Sequence, residues 1–294
     1  MIMQNLDDYK YLDLAKAEYL DQYNNNPFKF KHSLCECSLL SINNLSEVIL
    51  NLPESRVFFS SGNVDVTANL DTAHIEHKPD LSLEDAFNNI EEAGAFVMVR
   101  QPESDPVFKE LFNDLILDVK KFANSIDPGL HGFMLYLFIA SPNSVTPFHI
   151  DRYSTLLFQL KGHKDVNVWK PWDGDLITDI DLERFFSYEK GFSPELKDRY
   201  IDDAIVNHIK PGEGVHIPFV SPHWIKNSDE VSVSLSIIFN SKKTTNLANS
   251  LMFNKWYRKT FNRPAKSVNK SMFRDKAKAN IYRRYQDLLG FMGK

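Results

Sequence analysis

Cysteine is almost missing from this chain: of 294 residues, only Cys35 and Cys37 carry thiols. Two thiols separated by one residue cannot build an all-thiolate zinc site, and their loop is too short for a good disulfide. They read as reduced thiols in a strand or turn, which suits a reducing, cytoplasmic setting. Long apolar runs are missing as well. The longest central one, Phe133–Ala140, is far short of the ~20 residues that cross a bilayer. The first residues lack the basic start, apolar stretch and small-residue cleavage site of a secretory signal. Membrane spanning and export are therefore not expected. There is also no internal repeat and no low-complexity tract.

What remains is an ordinary globular composition, 43 % hydrophobic and 25 % charged. A chain of this length folds as one large domain or two modest ones and buries a core without disulfides or a structural metal. The net charge of −5 is unevenly spread. From Lys255 to Lys294 twelve Lys and Arg face only Asp275 and Asp287, a surplus of ten positive charges. Such a segment predicts a separate basic element that meets an acidic surface. The surface could be nucleic acid, the acidic body of the same chain, or that of a second copy.

Residues 1–95 alternate helical and extended signals. Leu12, Ala15, Tyr19 and Leu20 recur at helical spacing, and Asn24-Asn25-Asn26-Pro27 ends that helix. Arg56–Ser60 and Phe96–Val99 read as strands. Ser82 caps a helix that holds Ala86. A longer helix is expected from Asp105 to about Ala123, with Val107, Leu111, Leu115, Val119 and Phe122 on its apolar face. Residues 96–243 carry the central domain, and from Gly132 onward its language is β. Strands are predicted at Phe133–Ala140, Ser154–Leu160, Val166–Trp169, Ala204–Ile209, Gly214–Pro218 and Val231–Phe239, with a turn at Gly162. Strict alternation in Val231–Ser236 puts one side on a core and the other on a polar cavity or solvent. Many short strands point to a sandwich or barrel. An acidic, aromatic insertion at about 172–200 interrupts them as a helical lid. Residues 244–294 are helical, with Ile281, Tyr285, Leu288, Leu289 and Met292 as a stripe that packs on the body or on a second subunit.

The stretch Val145-Thr146-Pro147-Phe148-His149-Ile150-Asp151 carries the chemistry. On a strand, His149 and Asp151 share a face, and an imidazole beside a carboxylate supplies two of the three ligands of a 2-His-1-carboxylate iron site. A third must arrive from a distant strand. His223, between prolines, serine and tryptophan, can be that corner or a capping histidine at the sandwich rim. Lys164 follows the Gly162 turn. An ammonium in a β cavity is costly unless a carboxylate meets it, and a dicarboxylate chelating the iron would bring one. Otherwise Lys164 is a solvated hairpin lysine and Thr146 an ordinary strand residue. Trp169, Trp172, Phe185, Phe186 and Trp224 either line a substrate pocket or form core.

Taken together, VTPFHID, LLFQLKGHKDVNVWKP, GEGVHIPFVSPHWIKN and VSVSLSIIF resemble the JmjC/cupin-like oxygenases, in particular the branch of the asparaginyl hydroxylase of hypoxia-inducible factor. The resemblance implies a mainly β fold with flanking helices, built on a double-stranded β-helix. It implies Fe(II) held by His149, Asp151 and His223. It further implies 2-oxoglutarate bound by Lys164 and Thr146, with Thr155 and Ser236 where family members place further polar contacts. His216 stands where an apolar residue is usual and reads as structural. The implied reaction consumes dioxygen and hydroxylates a peptide, protein or small molecule, and dimerisation through C-terminal helices is implied too. Two alternatives accompany it: a non-catalytic ligand-binding or regulatory protein, and an RNA- or ribosome-directed oxygenase that uses the basic C-terminal segment.

Overall fold

The structure, a computed structural model, describes residues 9–291. Its strands in chain order are β1 Leu12–Asp13, β2 Phe28–His32, β3 Val57–Ser61, β4 Ala95–Arg100, β5 His131–Ala140, β6 Val145–Ile150, β7 Ser154–Lys161, β8 Lys164–Val168, β9 Ile205–Ile209, β10 Glu213–Ile217, β11 Pro222–Asn227 and β12 Ser232–Asn240. Its helices are α1 Ala17–Gln22, α2 Ile42–Leu50, α3 Ala73–Glu76, α4 Leu83–Asn88, α5 Lys109–Ala123, α6 Asp179–Phe186, α7 Lys242–Phe261 and α8 Met272–Phe291. Two antiparallel sheets result, an eight-stranded one in the order β1-β2-β10-β7-β12-β5-β4-β3 and a four-stranded one in the order β6-β11-β8-β9. From β5 to β12 the chain crosses repeatedly between them, which is the winding of a double-stranded β-helix, or jelly-roll. The N-terminal segment is hydrogen-bonded into this frame, with β1 and β2 at one edge and β3 and β4 at the other.

Alternation decides which side of each strand is dry. On β12, Val233, Leu235, Ile237 and Phe239 enter the main core, which also holds Val97 and Val99 of β4 and Leu111, Leu115, Val119 and Phe122 of α5. Ser232, Ser234 and Ser236 take the opposite side, lining a cavity between the sheets. A second core joins the outer face of the four-stranded sheet to α6 and α7 through Phe148, Trp169, Leu182 and Leu251. A third, with Leu157, Val166, Val168 and Ile225, fills part of the space between the sheets.

Several expectations change. Leu12 lies in β1, not in a helix, because the buried Asp118 carboxylate accepts the backbone N–H groups of Lys10, Tyr11 and Leu12 and holds them extended. Val107 is 47 % exposed. It precedes α5 in a short 3₁₀ turn capped by Asp105, so it lies off the helical stripe. β6 and β11 are the strands that the metal-ligand reading of His149 and His223 requires, and each contains proline. Pro147 sits on an edge strand and Pro222 opens its strand, the two places where a missing N–H breaks no ladder.

The C-terminal helices pack as a pair, with Trp256 and Tyr285 rings 5.3 Å apart and Ser250 donating to the Asp275 carbonyl. The basic segment finds its acidic surface partly in its own chain: Lys255 meets Glu189 at 2.9 Å and Arg258 meets Glu183 at 3.2 Å, both acids belonging to the insertion. The expected apolar stripe packs only in part: Tyr285 meets Trp256 of α7, while Ile281 and Leu288 are exposed. Met292 lies outside the described residues. Among the described residues no helix is long and apolar enough to cross a membrane.

Candidate metal centre

β6 and β11 are neighbours, and His149 pairs directly with His223 across them. Their rings approach to 4.0 Å between centroids. Asp151 follows β6 directly, and its Oδ2 lies 3.9 Å from His223 Nε2. One ligand atom from each of the three side chains falls within 4.8 Å of the others, a cluster able to hold a metal ion.

The hydrogen bonds around the cluster orient its two rings. His149 Nδ1 sits 2.7 Å from the Pro147 carbonyl and His223 Nδ1 3.0 Å from the Ser221 carbonyl. A carbonyl only accepts, so each Nδ1 donates there and Nε2 is the ring nitrogen left to ligate. Burial, then the neighbouring His149, push the His223 pKa down to about 4, so its ring is neutral at pH 7. The 3.9 Å approach of His223 Nε2 to Asp151 is then a lone pair facing a carboxylate. A cation between them resolves that repulsion, and two imidazoles with one carboxylate suit a divalent transition metal. The donor set therefore fits iron.

Thr155, at the start of β7, donates a 3.0 Å hydrogen bond to Asp151 Oδ2. Its side chain thus serves the acid of the cluster. Lys164 opens β8 and is buried, donating to Ser234 Oγ at 2.9 Å. Burial lowers its pKa to about 7, and among the described residues it forms no ion pair. It is therefore not a solvated hairpin lysine. Thr146 and Ser236 are buried and line the same cavity, of about 300 Å³, as Lys164 and the three clustered residues. Ser234, two residues before the expected Ser236, is the hydroxyl on the lysine, and sequence reading missed it. The alternation of β12 places both serines on the cavity side, and only the approach of Lys164 from the other sheet tells them apart.

His216 stays outside the cluster. Its Nδ1 donates to the Thr155 carbonyl, its Nε2 accepts from the Asn24 N–H, and its ring stacks on Tyr23. Of the five aromatics in question, Phe185 alone lines the cavity, while Trp169 is core. The cavity draws further rings from β3, β4 and β5, and also Tyr153 and Phe192, none of which sequence reading singled out. Arg152 is held by the insertion, its guanidinium 3.6 Å from the Phe185 ring and 4.0 Å from that of Tyr188. Phe192 and Pro194 of the insertion also line the cavity.

No family model and no curated protein matches the chain. Solved structures do. An X-ray structure of Escherichia coli YcfD matches with a TM-score of 0.53 at 14 % identity, over 95 % of this chain and 69 % of that one. A crystal structure of the same protein, there called a ribosomal oxygenase, gives 0.50 at 14 % identity over 95 % and 68 %. Its complex with cobalt and 2-oxoglutarate gives the same values. At this identity the likeness shows a shared fold, the jelly-roll expected from the sequence. These neighbours lend no specific support to the branch of the hypoxia-inducible factor hydroxylase.

Proposed function

We propose that this chain is an Fe(II)- and 2-oxoglutarate-dependent oxygenase that hydroxylates a peptide, protein side chain or small molecule, converting 2-oxoglutarate and dioxygen to succinate and carbon dioxide. The carrying observation is a cavity that brings together His149, Asp151 and His223 and, on the same lining, a buried ammonium paired only with a hydroxyl. His149, Asp151 and His223 hold the iron, which supplies oxygen activation coupled to decarboxylation. Lys164, assisted by Ser234, receives the distal carboxylate of 2-oxoglutarate, and Thr146 and Ser236 complete the polar walls of that space. Thr155 positions Asp151. The cobalt and 2-oxoglutarate bound by YcfD accord with this assignment.

A ribosomal substrate, as the YcfD name describes for that protein, is one case of the same reading. Nucleic-acid binding is not needed for it, because part of the basic surplus is spent on Glu183 and Glu189. The exposed Phe273, Ile281 and Leu288 of α8 support a homodimer through the C-terminal helices. The two free thiols, Cys35 and Cys37, suit a cytoplasmic protein.

Anaerobic titration of the full chain with Fe(II) and 2-oxoglutarate tests the proposal. A visible metal-to-ligand band is expected, and Asp151→Ala should abolish it. Absence of the band, together with calorimetry that detects neither ligand, would reject the oxygenase. Binding of both without succinate release in air would favour a non-catalytic binding protein.

A further inference from the structure

The cavity has two halves of unlike chemistry, set by the register of the eight-stranded sheet. Phe58, Met98, Phe138 and Ser234 lie in one row across β3, β4, β5 and β12. Phe96, Ala140 and Ser232 form the next row, and Arg100, Tyr136 and Ser236 another. All of these residues line the cavity. The β12 end is therefore a column of serines beside Lys164. The β3–β5 end is an aromatic wall, with Phe96 and Phe138 rings 6.2 Å apart and Tyr136 and Phe138 rings 6.3 Å apart. The opposite faces of β4 and β5 are sealed into the main core, so these rings stand on the cavity side, where Phe138 also packs against the third core. Apolar surface left facing a cavity of about 300 Å³ favours an apolar occupant.

The charges of the lining are lopsided. Its carboxylates are Asp151, a member of the metal cluster, and Asp71. Asp71 acts electrostatically on Arg152, which already donates to the Phe185 carbonyl and lies between two rings. Arg100 ends the aromatic wall beside Tyr136 and forms no ion pair among the described residues. A cationic substrate group would enter this half without a free carboxylate to meet it, whereas an anionic one finds an unpaired guanidinium.

We propose that the aromatic half is the substrate chamber, that it takes the ring or branched apolar group of a small carboxylic acid, and that Arg100 binds the carboxylate. This inference rests on the oxygenase reading for the chemistry at the metal, but not for the recognition itself. The apolar group would lie against Phe96 and Phe138 while the acid is held at the end of the wall by Arg100.

The test is ligand-observed NMR titration of the full chain, loaded with cobalt(II) and 2-oxoglutarate so that Lys164 is taken. The probes are 3-phenylpropionate and 3-phenylpropylamine, which differ in charge. The acid should bind at least tenfold more tightly than the amine. Arg100→Met should cost the acid about tenfold and leave the amine unchanged, and Phe138→Ala should weaken both. Equal or tighter binding of the amine, or an acid preference that survives Arg100→Met, would overturn the proposal. If cobalt and 2-oxoglutarate do not bind, the oxygenase reading fails instead. The same two probes titrated into the Lys164→Met chain, with and without Arg100→Met, then still decide whether Arg100 selects the acid.

Discussion

The Thr155 hydroxyl donates to Asp151 Oδ2 at 3.0 Å, across four residues of sequence, and so aims the carboxylate of the metal cluster. The backbone carbonyl of Thr155 is in turn held by His216, so the residue is fixed from both sides. Thr155→Val keeps the shape and removes the donor. Cobalt(II) affinity, followed by visible absorbance, should fall about 10–100-fold, the usual cost of removing such a supporting bond. Thr155→Ser should restore most of it. If Thr155→Val binds cobalt as the parent does, Thr155 does not orient the acid.

Lys164 is held at a cost to stability. Its pKa is about 7 in the folded chain because burial disfavours the ammonium, against about 10.4 in an unfolded one. Between those values the unfolded state binds more protons, so the penalty is fully present below pH 7 and fades as pH rises towards 10. Lys164→Met should raise stability by about 1–2 kcal/mol at pH 7 and abolish 2-oxoglutarate binding. Denaturant unfolding and calorimetry read the two effects separately. In the parent, an arriving carboxylate raises the lysine pKa. Binding near pH 7.5 should therefore take up protons, seen as a binding enthalpy that varies with the ionisation enthalpy of the buffer.

Two buried histidines should make the fold acid-sensitive. Burial lowers His216 to about 3 and His32 to about 4. Both stay neutral when folded and protonate near pH 6.5 when unfolded, so stability falls as pH drops from about 6.5 towards those folded values. Each should remove about 2 kcal/mol between pH 7 and pH 5. His32→Gln or His216→Gln should flatten that slope, measured by urea unfolding at a series of pH values, whatever it does to the absolute stability.

How much of this was legible in the sequence depends on what kind of signal each part leaves. His149, Asp151, His223 and Lys164 stand out only through their joint spacing, each being ordinary when read alone. The strict alternation of β12 revealed a two-sided strand. The aromatic wall left no such mark. Phe58, Phe96 and Phe138 look like any strand phenylalanines, and only pairing register tells that they share the cavity side. Ser234 and Ser236 are equivalent by alternation, and Lys164 chooses between them through space. Leu12 follows a helical spacing that Asp118, more than a hundred residues away, overrides.

Gly162 is the hinge of the β7–β8 turn, with φ +71°. A methyl group there would meet the Val231 carbonyl oxygen at 2.5 Å. That backbone leads directly into β12 and has no room to retreat. Gly162→Ala should cost about 1–3 kcal/mol, measured as a lower denaturant midpoint, through backbone strain and clash together. Because the turn delivers Lys164, 2-oxoglutarate affinity should drop as well.

The last two strands at one side of the large sheet, β4 and the edge strand β3, carry a lasting consequence. The candidate metal cluster lies in residues 149–223, while part of the proposed substrate chamber comes from residues 57–100, a different stretch of the gene. On that proposal, mutation would retune which molecule is accepted without touching the residues that hold the metal, and transplanting β3 and β4 between jelly-roll relatives should alter preference.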